Sequence, residues 1–334
     1  MNAGEPFRYS VVVPVYGNRD SLPLVVERLT ELAAERDGRL EVVFVVDGSP
    51  DDSLAVLRHA LADRPIDAQV LSLSRNFGSF SAIRAGMAVA RGAYVAVMAA
   101  DLQEPIEVVA SFFDLLERDE CDVVFGERVD RDDPAMSASG SKAYWWFYRR
   151  FVNKELPVGG VDVFGCTQRI CREVVAFSET HTSLVGLLFW VGYRRAFVPY
   201  KRVARHSGQS GWTLGRKVRY LLDSVYAFTD LPIVLLQVVG AIGFMLSVLV
   251  GVFIFIAWAV GAVKEPGYTP LMITILASTS ALLLGLGVVG SYVWRTYENG
   301  KGRPLGLTAS HEIYETAETR ATMTALDSRD GDVS

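Results

Sequence analysis

The chain has 334 residues, half of them hydrophobic, and a formal net charge of −5. That length holds one sizeable domain plus further segments, and the positive mean hydropathy is high for a wholly soluble protein. The charge excludes an overall basic field able to hold a nucleic-acid backbone, and the 3 cysteines, with neither a CxxC pair nor zinc-ligand spacing, read as reduced and partly buried.

The N-terminus, MNAGEPFRYS, carries neither the charged nor the apolar stretch of a signal peptide. From Tyr9 onward strand-like and helix-like segments alternate. SVVVPV is an apolar strand, and residues 21–35 show helical spacing with Ser21 placed to cap them. LEVVFVVD is a second strand ending at Asp47; residues 51–62 are helical, AQVLSLS is a third strand, and residues 79–91 are a third helix. Residues 94–99 form the fourth strand and residues 121–126 the fifth. This order predicts an α/β domain with a doubly wound, mostly parallel sheet and right-handed crossovers. No GxGxxG follows the first strand, so a dinucleotide site is not expected.

Four polar turns follow four of these strands: Pro14-Val15-Tyr16, Asp47-Gly48-Ser49, Ser74-Arg75-Asn76 and Asp101-Leu102-Gln103. Parallel strands bring such turns to one rim, where open α/β sheets bind ligands. Asp47, Ser49, Asn76 and Asp101 are side chains able to meet a nucleotide, although Asp-Gly is also an ordinary turn pair. In YVAVMAADLQEP, Asp101 and Gln103 offer oxygens to a hard cation. Asp101 placed before Pro105 also fits a helix cap, so both readings stand.

PVYGNRD, VVDGSPDDS, SLSRNFG and ADLQEP, in this order and followed by the apolar segments below, resemble the inverting family 2 glycosyltransferases. Within them the chain is most similar to the polyprenyl-phosphate glycosyltransferases, the group of dolichyl-phosphate mannose synthases and bacterial undecaprenyl-phosphate glucosyltransferases. The resemblance runs from about residue 9 to residue 304. It implies a GT-A fold, a UDP- or GDP-linked sugar donor, Mg²⁺ or Mn²⁺, a polyprenyl phosphate acceptor and a homo-oligomer. Carried over by motif, Pro14, Tyr16 and Asp47 hold base and ribose, while Asp101 and Gln103 meet the metal and diphosphate. The chain departs from the pattern at Ala99-Ala100-Asp101, where an Asp-x-Asp pair is usual, and at Gly17-Asn18-Arg19-Asp20. Mg²⁺ tolerates a lost carboxylate because it keeps waters and few protein ligands.

Past the fifth strand come Arg128 and Arg131, near the expected donor. Two anions, a diphosphate and an acceptor phosphate, must approach to bonding distance, and arginine forks suit their oxygens. Arg131 has a second reading as the partner of Asp130, Asp132 or Asp133 on a solvated loop. Residues 142–151 combine Tyr144, Trp145, Trp146, Phe147 and Tyr148 with Arg149 and Arg150, a composition suited to a membrane interface. In LPVGGVDVFGCTQR, Asp162 stands where the resembled family has its proposed base; as a residue after Gly159-Gly160 it also fits a turn. A phosphate monoester is mostly dianionic at neutral pH, so this role is orientation of the acceptor more than its deprotonation. Arg205 and Ser210 match an Arg-x-x-Gly-x-Ser segment that faces phosphates. His206 has no second histidine at ligand spacing and reads as a surface residue.

Residues 213–231 form a basic amphipathic segment with Arg216, Lys217 and Arg219, suited to an anionic membrane surface. Residues 233–263 and 271–294 lack charge and exceed the ~20 apolar residues a span needs, which predicts a transmembrane hairpin within residues 232–296. Arg295, Lys301 and Arg303 follow it and only Lys264 lies in the link. The positive-inside rule then puts both ends, and the catalytic domain of residues 1–212, in the cytoplasm at the plasma (inner) membrane. Residues 297–334 read as a largely disordered cytoplasmic tail. The expected reaction is inverting transfer of a sugar to polyprenyl (undecaprenyl) phosphate. Its rivals are a processive polysaccharide synthase, transfer to another membrane acceptor, and a non-catalytic polyprenyl-binding homologue.

Overall fold

A computed structural model of the chain describes residues 7–62, 64–129, 157, 161–179, 182–203, 222–229, 231–260, 268–317 and 319–320. Among these residues eight strands form one sheet in the order β7-β5-β6-β4-β1-β2-β3-β8. They are β1 (Tyr9–Val15), β2 (Leu40–Val46), β3 (Asp67–Leu73), β4 (Tyr94–Val97), β5 (Val123–Arg128), β6 (Phe164–Thr167), β7 (Arg195–Tyr200) and β8 (Thr308–Tyr314). The strands from β1 to β4 pair in parallel, as does β5 with β7, while β6 and β8 run against their neighbours.

The central strands are continuous apolar runs because helices cover both faces. Residues of β1 alternate between them. Val11, Val13 and Val15 pack with α1 (Leu22–Glu35), α2 (Ser53–Ala62) and α4 (Ile106–Glu117), while Val12 faces α3 (Ser79–Val89), α5 (Gln168–Ala176) and α6 (Leu184–Trp190). On α1 the buried residues Leu22, Val25, Val26, Leu29, Leu32 and Ala33 recur at helical spacing. Ser21 precedes α1 but does not cap it. Its hydroxyl instead donates to the carbonyl of Ala100 at 2.6 Å, tying α1 to the turn that carries Asp101.

At the opposite end of the strands, Glu41 is fully buried and accepts from Ser10 Oγ at 2.7 Å, Gln69 Nε2 at 3.0 Å, and the Arg91 backbone amide at 2.6 Å and side-chain Nε at 2.8 Å. A buried carboxylate is tolerated when its lone pairs are filled in this way.

The chain then leaves the sheet. Leu222–Phe228 (α7) is helical, followed by α8 (Leu231–Ala259) and α9 (Tyr268–Gly300). Apolar side chains such as Leu235, Phe253 and Leu282 stand exposed along both long helices. Arg295 of α9 donates to Asp223 of α7 at 2.6 Å, and the Tyr226 and Tyr292 rings meet edge to face. Counted over described residues, no single helix is long and apolar enough to cross a membrane; Leu222–Phe228 and Leu231–Gly243, bent by 82°, meet length and composition together.

The tail reading needs correction. Residues 308–314 are not disordered but pair antiparallel with β3. TASHEIY has the composition of a solvated tail, and what orders it is the otherwise open edge of β3. Arg58 forks onto Glu312 at 3.0 and 2.5 Å, His311 meets Gln69 at 2.8 Å, and Thr316 and Thr319 donate to Asp67. The aromatic segment 142–151, residues 213–221 and residues 321–334 lie outside the described residues.

Candidate active site

Strand register gathers the expected turns. Val15 lies beside Val46, and Val46 beside Ser72, so the turns after β1, β2 and β3 leave the sheet together. Met98, just past β4, donates its amide to the Val12 carbonyl at 3.1 Å, bringing the Asp101 turn to the same rim. Across the sheet, Arg128 and Tyr200 sit side by side at the carboxyl ends of the parallel strands β5 and β7. β6 runs the other way, so Asp162, two residues before its start, returns to that rim.

The turns after β1, β2 and β3 form a cradle held by side chains. Asp47 is buried, and its two carboxylate oxygens accept from the amides of Phe77 at 2.7 Å and Gly78 at 2.8 Å. Gly48 has φ +56°, and a Cβ there would lie 2.4 Å from Arg75 C and Asn76 N. Only glycine permits this approach. The Ser49 hydroxyl accepts from the Gly17 amide at 2.8 Å and donates to Asp51 at 2.6 Å. Asp51 also accepts from Ser53 Oγ at 2.6 Å, the Ser53 amide at 3.2 Å and the Arg19 amide at 3.2 Å. Burial alone raises the Asp51 carboxyl, but the bonds from Ser49 and Ser53 outweigh it and hold the group below its ordinary value. Of the residues expected at a nucleotide, Asp47 and Ser49 therefore tie loops together. Pro14 is half-buried within β1, and Tyr16 and Asn76 present exposed side chains beside them.

The second half of the site is a charged cluster. Asp101 is 9% exposed, and its carboxylate accepts from the Gln103 amide at 3.4 Å. It does not cap α4, whose N-cap is Pro105 without a side-chain bond. Leu102 between them has φ +53°, a conformation that costs a branched residue of order 1–3 kcal/mol and recurs at functional turns. Glu104 is only 2% exposed; Arg202 Nε lies 3.6 Å from it, and neither of its oxygens accepts a hydrogen bond. Burial, then the charge of Asp101, push the Glu104 carboxyl above its ordinary range, with Arg202 and Arg128 opposing. Arg128 donates to Asp162, and the buried Tyr200 hydroxyl donates to the same carboxylate at 3.4 Å. Burial, then Glu104, raise the Tyr200 hydroxyl against the pull of Arg128 and Arg202. The Val203 amide donates to the Gln103 carbonyl at 2.9 Å, which ties the segment after β7 to the Asp101 turn.

The structure thus brings Asp101, Gln103, Arg128 and Asp162 together. Arg131, Arg205 and Ser210 lie outside the described residues. Glu104, Tyr200 and Arg202 escape a sequence reading. Glu104 shares the polar turn of Asp101, but the strand that delivers Tyr200 and Arg202 contains Pro199 and gives a weak signal.

No group of three His, Cys, Asp or Glu side chains gathers as a metal cage among the described residues. The donor set does suit Mg²⁺ or Mn²⁺, which takes one or two carboxylates and leaves the other positions to phosphate oxygens and water. Asp101 sits at the rim, and the Glu104 carboxylate behind it has no hydrogen-bonded partner.

The chain is similar to a glycosyltransferase of unassigned function, sll0501 of Synechocystis, with 31% identity over 90% of this chain and 94% of that one. It is 30% identical to the bactoprenol glucosyl transferase of Shigella phage SfV, over 89% of this chain and 96% of that one. Among solved structures, a mannosyltransferase of Pyrobaculum calidifontis, in complex with GDP-mannose and Mn²⁺, superposes with a TM-score of 0.44 at 17% identity, covering 88% of this chain and 86% of that one. The family model "Glycosyl transferase family 2" matches residues 10–176, half of the chain. This chain is a glycosyltransferase and belongs to glycosyl transferase family 2.

Proposed function

We propose that this enzyme moves a sugar, with inversion, from a nucleoside-diphosphate sugar to a polyprenyl phosphate, undecaprenyl phosphate in a bacterium, at the cytoplasmic face of the plasma membrane. The observation that carries this reading is the meeting of Asp101, Arg128 and Asp162 on one sheet rim. The name of the phage SfV relative, a bactoprenol glucosyl transferase, supports the acceptor class.

In the reaction an acceptor phosphate oxygen forms a bond to the anomeric carbon while the bond to the donor's diphosphate breaks. The nucleoside diphosphate leaves with the electron pair. The acceptor is already largely dianionic, so the barrier lies in bringing two anions together. Arg128 offers its guanidinium to the incoming phosphate; Asp162 holds that guanidinium in place, and the Tyr200 hydroxyl donates to Asp162. Asp101 and Gln103 would hold a divalent cation, which supplies charge neutralisation for the departing diphosphate. Tyr16 and Asn76, exposed beside the cradle framed by Asp47 and Ser49, would meet the nucleotide.

The membrane reading rests on α8 and α9. The 29 residues of Leu231–Ala259 contain no charged side chain, and Tyr268–Gly300 is 33 residues long with its first charge at Arg295. By length alone each exceeds the ~20 residues of a bilayer core, although among the described residues neither passes on length and apolarity together. The basic residues at both outer ends favour a hairpin entering and leaving on the cytoplasmic side. A lipid phosphate can then reach the rim from the side.

The test is transfer of label from a panel of UDP- and GDP-linked sugars to undecaprenyl phosphate by the full chain in nanodiscs, with and without Mg²⁺ or Mn²⁺. A lipid-linked sugar is the expected product. Nucleotide binding without transfer from any donor in the panel would sink the catalytic reading, and transfer to a different lipid would sink the acceptor.

A further inference from the structure

The strand that follows the long helices begins beside the nucleotide cradle. β8 covers the edge of β3, with Tyr314 beside Ala68 at one end and Thr308 beside Leu73 at the other. The ladder then continues by one bond beyond the strands, where the Ser74 amide donates to the Leu307 carbonyl at 2.8 Å. Ser74 opens the loop 74–78. At its far end the same loop gives the Phe77 and Gly78 amides to Asp47, and in its middle Arg75 and Asn76 lie against Gly48 too closely for any Cβ.

The loop is therefore held at both ends, by Asp47 from β2 and by Leu307 from the C-terminal segment. Without β8, Ser74 would be the last residue of an open sheet edge, and its amide would have only water to meet. The docking is specific. Arg58 forks onto Glu312, His311 meets Gln69, and Gln69 in turn donates to the buried Glu41. Thr316 and Thr319 close on Asp67, so β8 is fastened at the far end of β3 as well. Only six residues separate the end of α9 at Gly300 from Leu307.

We propose that the segment from Leu307 to Tyr314 is a positioning element of the nucleotide pocket: it fixes the 74–78 loop and thereby links the long apolar helices to donor binding. This rests on the nucleotide-sugar reading of the rim. The atoms involved are backbone ones, so the role belongs to the docked strand and not to a single side chain.

The experiment compares the full chain in nanodiscs with a chain ending at Pro304, using UDP and GDP as probes and following amide exchange along residues 68–78. The expected result is a rise of tenfold or more in the dissociation constant of whichever nucleotide the full chain binds, with faster exchange in 74–78. A peptide of residues 305–320, added in trans, should restore both. If the shortened chain does not fold, Arg58→Ala in the full chain loosens the strand from outside the cradle. It should speed exchange in β8 and in 74–78 together and weaken nucleotide binding several-fold. Faster exchange in β8 alone with unchanged nucleotide affinity would overturn the proposal. So would a peptide that restores thermal stability but not nucleotide affinity. If the full chain binds neither UDP nor GDP, the nucleotide reading of the rim fails, not the coupling alone.

Discussion

Arg128, the last residue of β5, donates to the carboxylate of Asp162, which the chain reaches only 34 residues later. The pair joins the cation suited to a phosphate with the carboxylate suited to orienting it. Asp162 keeps its side chain 38% exposed while Arg128 is 12% exposed, so the carboxylate lies on the solvent side and the guanidinium beneath it. On the proposed reading, an incoming phosphate would share Arg128 with Asp162 or displace it.

Arg128→Ala is expected to lower kcat/KM by 10²–10³-fold, the range for removing one group aimed at developing charge, with the acceptor KM affected. Asp162→Asn leaves an oxygen for Arg128 and Tyr200 but removes the charge, and should cost less. Steady-state kinetics with each substrate varied in turn checks this. Arg128→Ala within threefold of the parent enzyme would remove Arg128 from the site.

Asp101→Asn is expected to abolish transfer while the protein stays folded, because Asp101 reaches the rim without capping α4. Circular dichroism together with Mn²⁺ binding followed by electron paramagnetic resonance separates the two effects. Wild-type Mn²⁺ affinity in the variant would move the cation to other residues.

Gly48→Ala tests the cradle directly. A Cβ would lie 2.4 Å from backbone atoms of Arg75 and Asn76, at φ +56°. Backbone cannot yield as a flexible side chain does, so the loops must part. A loss of about 2 kcal/mol or more in unfolding free energy is expected, with weaker nucleotide binding. Chemical denaturation and a nucleotide titration measure both, and an unaltered affinity would show that the loops do not shape the pocket.

Much of this was legible in the sequence, for a physical reason. The strands β1 to β4 are buried on both faces and read as unbroken apolar runs, so the polar residues ending them mark the rim. Asp101, Arg128 and Asp162 were legible as candidates, but their meeting was not, because it depends on β6 reversing direction. β6 is four residues long and contains Gly165 and Cys166, and β7 contains Pro199; neither has a strong strand pattern. β8 was hidden more deeply. Its Ser, His and Glu belong to a solvated tail by composition, and only the edge of β3 gives them order. The engagement of Asp47 with the Phe77 and Gly78 amides could not be read either, since it joins loops 30 residues apart.

The cysteines give a prediction independent of catalysis. Cys121, Cys166 and Cys171 are all free and buried. Burial, then the charge of Asp122, push the Cys121 thiol up to about 11, and Cys166 is raised by its contact with Cys171 and by burial. Thiolate is the reactive form and all three side chains are buried, so none of the 3 cysteines should react quickly with a disulfide reagent at pH 8 until the protein unfolds. Rapid modification of one thiol in the native enzyme would contradict the packing of β6 on α5.

Asp51 supplies a pH-dependent test of the cradle. It accepts from Ser49, Ser53 and the Arg19 amide, and so joins the turns after β1 and β2. Its carboxyl titrates below the ordinary value of 3.8 in the folded chain. The unfolded chain therefore binds the proton more readily between that lower value and 3.8. The stabilisation is fully present above 3.8 and is lost as pH falls through the folded value. Partial exposure keeps it small, about 1 kcal/mol. Asp51→Asn should lower the melting temperature by a few degrees at pH 7 and by progressively less as pH falls below 3.8 and acid protonates the parent. A difference that stays constant from pH 7 to pH 3 would mean that the lost bonds do not depend on charge, and that Asp51 acts by shape alone.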